Sequence, residues 1–226
     1  MIISHKYKFI FIKTRKTAGS SIEYNLSSFL GENDIITPLE GIPKAEKHLS
    51  KNYFIDTTLS ILLKKIGLFK ISKFFLYEIK THEHAYKVKK IVGQKVWNTY
   101  YKFCVEREPV DKCLSYYFMR KNSPTSSKKR KSMTWSDFVK KGNFPIDYNL
   151  YTHKNELIVD KIINYENLNA ELNDVFNLLN LPLKGLKKKV NNTYRKNIDF
   201  EILNSEKKSI YDAFKKTLPF TGYSIK

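Results

Sequence analysis

Arginine is scarce in this chain. Of 41 basic residues, only Arg15, Arg107, Arg120, Arg130 and Arg195 are arginine, so bidentate recognition of an anion by a planar guanidinium rests on very few positions. Cysteine is scarcer still. Cys104 and Cys113 do not make a disulfide framework, and their apolar surroundings predict buried free thiols. No apolar run approaches the roughly 20 residues that span a bilayer. No secretory leader precedes the first strand-like run, and cleavage there would destroy the loop that follows it, which points to the cytoplasm. Acidic residues are few as well: 22 against 41 basic ones leave a net charge of +19. That excess predicts attraction to polyanions, whether nucleic acid, acidic glycans, a membrane surface or a nucleotide, and singles out none of them.

With 226 residues and 42% hydrophobic composition, the chain can bury one substantial core, and a single domain over 1–226 is expected. The most informative stretch comes first. An apolar strand-type run, Tyr7 to Ile12, leads into Lys13-Thr14-Arg15-Lys16-Thr17-Ala18-Gly19-Ser20-Ser21 and the start of a helix. A helix start offers unpaired N–H groups and partial positive charge to an anion. Ala18 and Gly19 allow close approach to the backbone, Lys16 brings an ammonium, and Thr17, Ser20 and Ser21 bring hydroxyls. The spacing is not the Walker pattern of two glycines four residues apart before Lys-Ser/Thr, which disfavours an ordinary ATPase or GTPase.

The remainder alternates strand and helix signals. Ile22 to Leu30 continues the first helix up to Gly31, and 31–52, rich in Gly and Pro, reads as a long connection containing a surface His48. Apolar clusters interleaved with lysines over 53–80 suggest a helical pair packed on the core as an insertion, with a basic amphipathic helix on a membrane surface as the alternative. Thr81 is the expected N-cap of a helix ending at Gly93, which puts His82 and His84 in its first turn. There the charged imidazole is disfavoured, and either histidine could serve as a base. Trp97 to Val105 reads as a buried strand ending at Arg107. Pro109 opens a helix on which Ser115 lies off the apolar stripe, on the side able to share an anion with Arg107. The basic segment 121–132 reads as a mobile loop, too short to predict a specific nucleic-acid site. A strand near 158–165, a helix from Leu168 and a last helix over 205–216 complete the pattern.

Together, the strand followed by Lys16-Thr17-Ala18-Gly19-Ser20-Ser21, the His82-x-x-Ala85 helix start, Arg107-x-Pro109 with Ser115, Tyr165-Glu166-Asn167-Leu168 and a terminal Phe220-x-Gly222-Tyr223 resemble the sulfotransferases that use 3′-phosphoadenosine 5′-phosphosulfate, above all their bacterial and carbohydrate-type branch. The resemblance implies a P-loop-like three-layer α/β fold, its central mainly parallel β-sheet flanked by helices. It also implies sulfuryl transfer to a hydroxyl acceptor of glycan or glycolipid type, with adenosine 3′,5′-bisphosphate as product and no metal.

By position, Lys16 to Ser21 would bind the 5′-phosphosulfate, with Lys16 on the bridging oxygen. Arg107 and Ser115 would hold the 3′-phosphate, His82 would deprotonate the acceptor, and the region of Asn191 to Arg195 would close over the nucleotide. Two departures stand out. Arg15 occupies a position that is usually proline in the family, where it either loosens the loop entry or adds an anion contact. Glu106 and Glu108 flank Arg107, and either carboxylate turned inward would offset its attraction. The competing expectations are a basic nucleotide- or polyanion-binding protein without turnover and a small-molecule kinase.

Overall fold

The computed structural model describes residues 1–39, 49–187 and 200–225. Strands β1 (Ile2–Ser4) and β2 (Phe9–Ile12) precede helix α1 (Gly19–Ser27) and strand β3 (Ile35–Ile36). A protruding segment follows, in which β4 (Phe54–Ile55) and β5 (Tyr77–Glu78) enclose helices α2 (Thr58–Lys65) and α3 (Phe69–Ser72). Then come α4 (Ala85–Thr99), β6 (Tyr101–Glu106), α5 (Pro109–Asn122), α6 (Lys128–Lys131), α7 (Trp135–Lys141) and α8 (Tyr148–Tyr151). A small hairpin of β7 (Thr152–His153) and β8 (Glu156–Leu157) leads to β9 (Lys161–Asn164), and helices α9 (Leu168–Leu178), α10 (Asn204–Phe214) and α11 (Leu218–Thr221) finish the chain.

The main sheet has the order β3-β1-β2-β6-β9. β2, β6 and β9 are parallel, whereas β1 runs against both of its neighbours. Strict alternation divides the central strands between two cores. Phe9 and Phe11, with Phe103 and Val105, meet Ile22 and Leu26 of α1 and Leu172, Val175 and Phe176 of α9 on one face. Ile10, Ile12 and Cys104 meet Ala85, Val88 and Trp97 of α4 and Tyr151 of α8 on the other. Both faces are therefore covered, which is why the β2 sequence is continuously apolar. Each fully buried Phe or Ile contributes about 1.5–3 kcal/mol by leaving water. A third cluster joins α5, α7 and α10 through Tyr117, Trp135, Phe138 and Phe214.

Several boundaries differ from expectation. The helix before β6 runs to Thr99, so the strand starts at Tyr101, and Trp97 packs from the helix. Gly93, with φ 79° and ψ 162°, does break the helix as expected, but a second helical run continues directly from it to Thr99. The connection after Gly31 contributes to the core: β3 pairs with β1, and both of its isoleucines are buried. The segment 121–132 is not loop throughout, because α5 extends to Asn122 and α6 forms from lysines and Arg130. The helices of 53–80 are present, but their apolar side chains point outward. His48 lies outside the described residues.

Because β2, β6 and β9 are parallel, their C-terminal ends share one edge of the sheet. The loops Lys13–Ala18, Arg107-Glu108 and Tyr165–Asn167 emerge there together, the usual place for a ligand in an open α/β sheet.

Candidate active site

The first loop adopts an unusual backbone. Lys16 and Ala18 are both left-handed, with φ of 63° and 61°, a conformation that costs a non-glycine residue about 1–2 kcal/mol. Buried threonines hold it. The Thr17 hydroxyl bonds the Thr14 hydroxyl at 2.8 Å and the Thr14 carbonyl at 3.1 Å, and the Thr14 hydroxyl donates to the Val105 carbonyl of β6. Thr17 thus spends its hydroxyl on loop shape rather than offering it to an anion. Ala18 sits at the cap of α1 and has no side-chain acceptor for the first-turn N–H groups. Strain concentrated in this way is characteristic of binding loops.

Lys13, the first residue after β2, is 3% exposed and turns inward beneath the loop. Its ammonium donates to Glu23 Oε2 at 2.6 Å and to Ser20 Oγ at 3.1 Å. Its stem crosses Gly19 so closely that a Cβ there would meet Lys13 Cγ at 2.6 Å. Gly19 is therefore required by the lysine beneath it, whatever approaches from above.

Arg15 is anchored. Its backbone N–H and its Nε donate to the two oxygens of Asp147 at 2.7 and 2.6 Å, and Nη2 donates to the Ile146 carbonyl at 2.8 Å. Asp147 also pairs with Lys112 at 2.9 Å, and the same buried ammonium pairs with Glu106 at 2.7 Å. Burial opposes charge on Asp147, but Lys112 and Arg15 outweigh it and hold its carboxyl below the ordinary range. Burial dominates at Glu106 and pushes its carboxyl up in spite of Lys112.

This arrangement disposes of both glutamates flanking Arg107. Glu106 turns to Lys112, and Glu108 caps α5 by accepting from the N–H groups of Val110 and Asp111. The carboxylate on the guanidinium is that of Asp111, one helical turn on, at 2.5 Å from Nε and from Nη2. The guanidinium also stacks over Tyr165, 4.0 Å from the ring centroid, and donates to the Lys16 carbonyl at 3.1 Å.

His82 and His84 precede α4 rather than occupying its first turn, and His84 is at the cap position. The Thr81 hydroxyl donates to the Pro38 carbonyl instead of capping the helix. His82 Nδ1 lies 2.8 Å from the Lys13 carbonyl. A carbonyl can only accept, so Nδ1 carries the proton, and in the neutral ring Nε2 holds the lone pair. His84 Nδ1 is instead bound to the Asn149 carbonyl. Buried Glu83 fixes the turn by accepting from the N–H groups of His84 and Lys80 and from the Tyr77 hydroxyl. Burial opposes its charge, but those bonds prevail and lower its pKa.

A cleft of about 700 Å³ gathers these groups: Lys13 to Ser21, His82, Arg107 and Ser115, together with Tyr116, Met119, Tyr165, Glu166 and Leu168. His84 is not part of its lining, and Arg195 lies outside the described residues. No local pattern marks Lys13 or Asp147 as part of the site. Asp111 stood at helical i,i+4 spacing from Arg107, a legible signal of an ion pair. Among the described residues, no group of three His, Cys, Asp or Glu side chains is placed to hold a metal.

A model of the sulfotransferase family matches residues 1–219. The chain is also similar to an uncharacterized protein of Archaeoglobus fulgidus, 32% identical over 104 residues that cover 43% of this chain and 82% of the relative. No solved structure matches. Since the family match spans the strands, the first loop and every cleft residue named above, the chain belongs to the sulfotransferase family, whose chemistry is sulfuryl transfer.

Proposed function

We propose that this sulfotransferase acts as one cytoplasmic domain of P-loop-like type, using 3′-phosphoadenosine 5′-phosphosulfate to sulfate a hydroxyl on a glycan or glycolipid. The observation that carries the reading is the convergence of a strained basic loop, a second cationic position and a tautomer-fixed histidine in one cleft. The donor set suits the nucleotide. Lys16 and the backbone of Thr17 to Ser21 would hold the 5′ end, while Arg107 and Ser115 would take the 3′-phosphate. Tyr116, Met119 and Leu168 of the lining would offer apolar contacts to the base.

When bound, the nucleotide supplies the sulfuryl group and a phosphate as leaving group. Lys16 lowers the cost of the negative charge that develops on that phosphate, a role whose loss typically costs about 100-fold or more in rate. His82 accepts the acceptor's proton at Nε2, while its Nδ1–H, held on the Lys13 carbonyl, stabilises the imidazolium that results. General-base help of this kind is worth about 100- to 10,000-fold. Arg15 is committed to Asp147 through Nε and its backbone N–H and acts chiefly by holding the loop.

A second reading, a nucleotide binder without turnover, draws on one observation: Asp111 already neutralises part of Arg107. Thermal shift with adenosine 3′,5′-bisphosphate, ATP and AMP tests nucleotide choice. Stabilisation by the bisphosphate well beyond that by AMP is expected, and indifference to the 3′-phosphate would sink both the donor assignment and the role of Arg107. A screen of hydroxylated acceptors with labelled donor then separates turnover from binding, and sulfation of small phenols in preference to glycans would replace the acceptor class.

A further inference from the structure

Residues 58–76 invert the usual burial pattern. α2 and α3 bury Ser60 and Ser72 completely, while nine large apolar side chains between Leu59 and Phe75 are 41–86% exposed, Phe74 the most. The two helices pack on one another and on the short 3₁₀ turn Lys73–Phe75, and the β4–β5 hairpin fastens their base. An exposed apolar surface of this extent marks a contact with a protein or a membrane.

Charge chooses between them. Within 58–76 there are four lysines, Lys64, Lys65, Lys70 and Lys73, and no acidic residue. Lysine is depleted from the interiors of protein–protein interfaces. At a lipid surface, by contrast, lysine stems lie along the apolar region while their ammonium groups reach the phosphates. No helix among the described residues is long and apolar enough to cross a membrane, so the contact would be peripheral. We propose that this helical finger docks the protein on an anionic lipid surface, with Phe69 and Phe74 entering the boundary between headgroups and acyl chains and Lys65, Lys70 and Lys73 resting on lipid phosphates. The proposal does not depend on the nucleotide reading, and its test does not use activity.

The full chain is sedimented with vesicles of phosphatidylcholine plus phosphatidylglycerol and with phosphatidylcholine alone. Binding to the anionic vesicles is expected, reduced about tenfold or more in Phe69→Ser/Phe74→Ser, with an unchanged melting temperature. The emission of Phe74→Trp should shift to shorter wavelength when anionic vesicles are added. Failure to bind those vesicles, or equal binding by the double variant, overturns the proposal, since the net charge alone then accounts for any attraction. So does a wild-type dimer in analytical ultracentrifugation that the double variant dissolves, because a second copy would then cover the finger.

Discussion

Arg107 Nη1 donates to the carbonyl oxygen of Lys16 at 3.1 Å, so the cation proposed for one end of the nucleotide also shapes the loop proposed for the other. Arg107→Lys removes the planar fork that serves both partners. Calorimetry should show affinity for adenosine 3′,5′-bisphosphate falling about tenfold or more while affinity for AMP falls less. Equal losses for both nucleotides would mean that Arg107 acts only through the loop.

Asp111 competes with any phosphate for the same guanidinium. Asp111→Asn should therefore tighten binding of the bisphosphate, by about two- to fivefold given the partial exposure of the pair. Weaker binding would show that the carboxylate is needed to orient Arg107.

Neighbouring loop positions should respond in opposite directions. Gly19→Ala drives a Cβ into the anchored stem of Lys13 and should cost about 1–3 kcal/mol. Ala18→Gly relieves a left-handed residue and should stabilise by about 0.5 kcal/mol once the greater freedom of the unfolded chain is allowed for. Urea denaturation of both variants reads the signs directly.

The buried cluster predicts a pH dependence. Because the Asp147 pKa in the folded protein lies below its ordinary value of 3.8, its contribution to stability is complete above that value and is lost as pH falls through the lower, folded one. Asp147→Asn should thus cost about 3–5 kcal/mol near neutral pH, with the gap to wild type closing as the pH drops below about 4. A gap that persists undiminished in acid would assign the loss to packing.

For the histidine, His82→Ala should lower turnover about 100-fold or more and leave bisphosphate affinity within about twofold, a difference near the limit of measurable coupling. The same change at His84, outside the cleft lining, should leave turnover nearly intact. The reverse result would move the base.

The residues that line the candidate site were legible where they are contiguous or regularly spaced. Lys16 to Ser21 form one loop at a strand-to-helix junction, and Arg107 precedes a proline-initiated helix, so local rules of chain geometry suffice to find them. The role of Arg15 was not legible, because its partner Asp147 lies 132 positions away and the pairing exists only once α8 packs beside the loop. Lys13 was hidden for a related reason, since nothing local tells a lysine to turn inward toward Glu23. The finger at 58–76 was misjudged on its burial. Apolar residues at helical spacing ordinarily face a core, whereas here the fully buried positions of α2 and α3 are serines.

Lys112 sits between Glu106, at the end of β6, and Asp147, which in turn grips Arg15. One ammonium is thereby shared by the strand that leads to Arg107, the entry to α8 and the loop that carries Lys16. Opening the cleft by moving any of these segments alone would strand a buried charge, which is far costlier than a change of rotamer. The relative positions of these three segments are therefore set when the chain folds, and between them a ligand can draw mainly on side-chain adjustment.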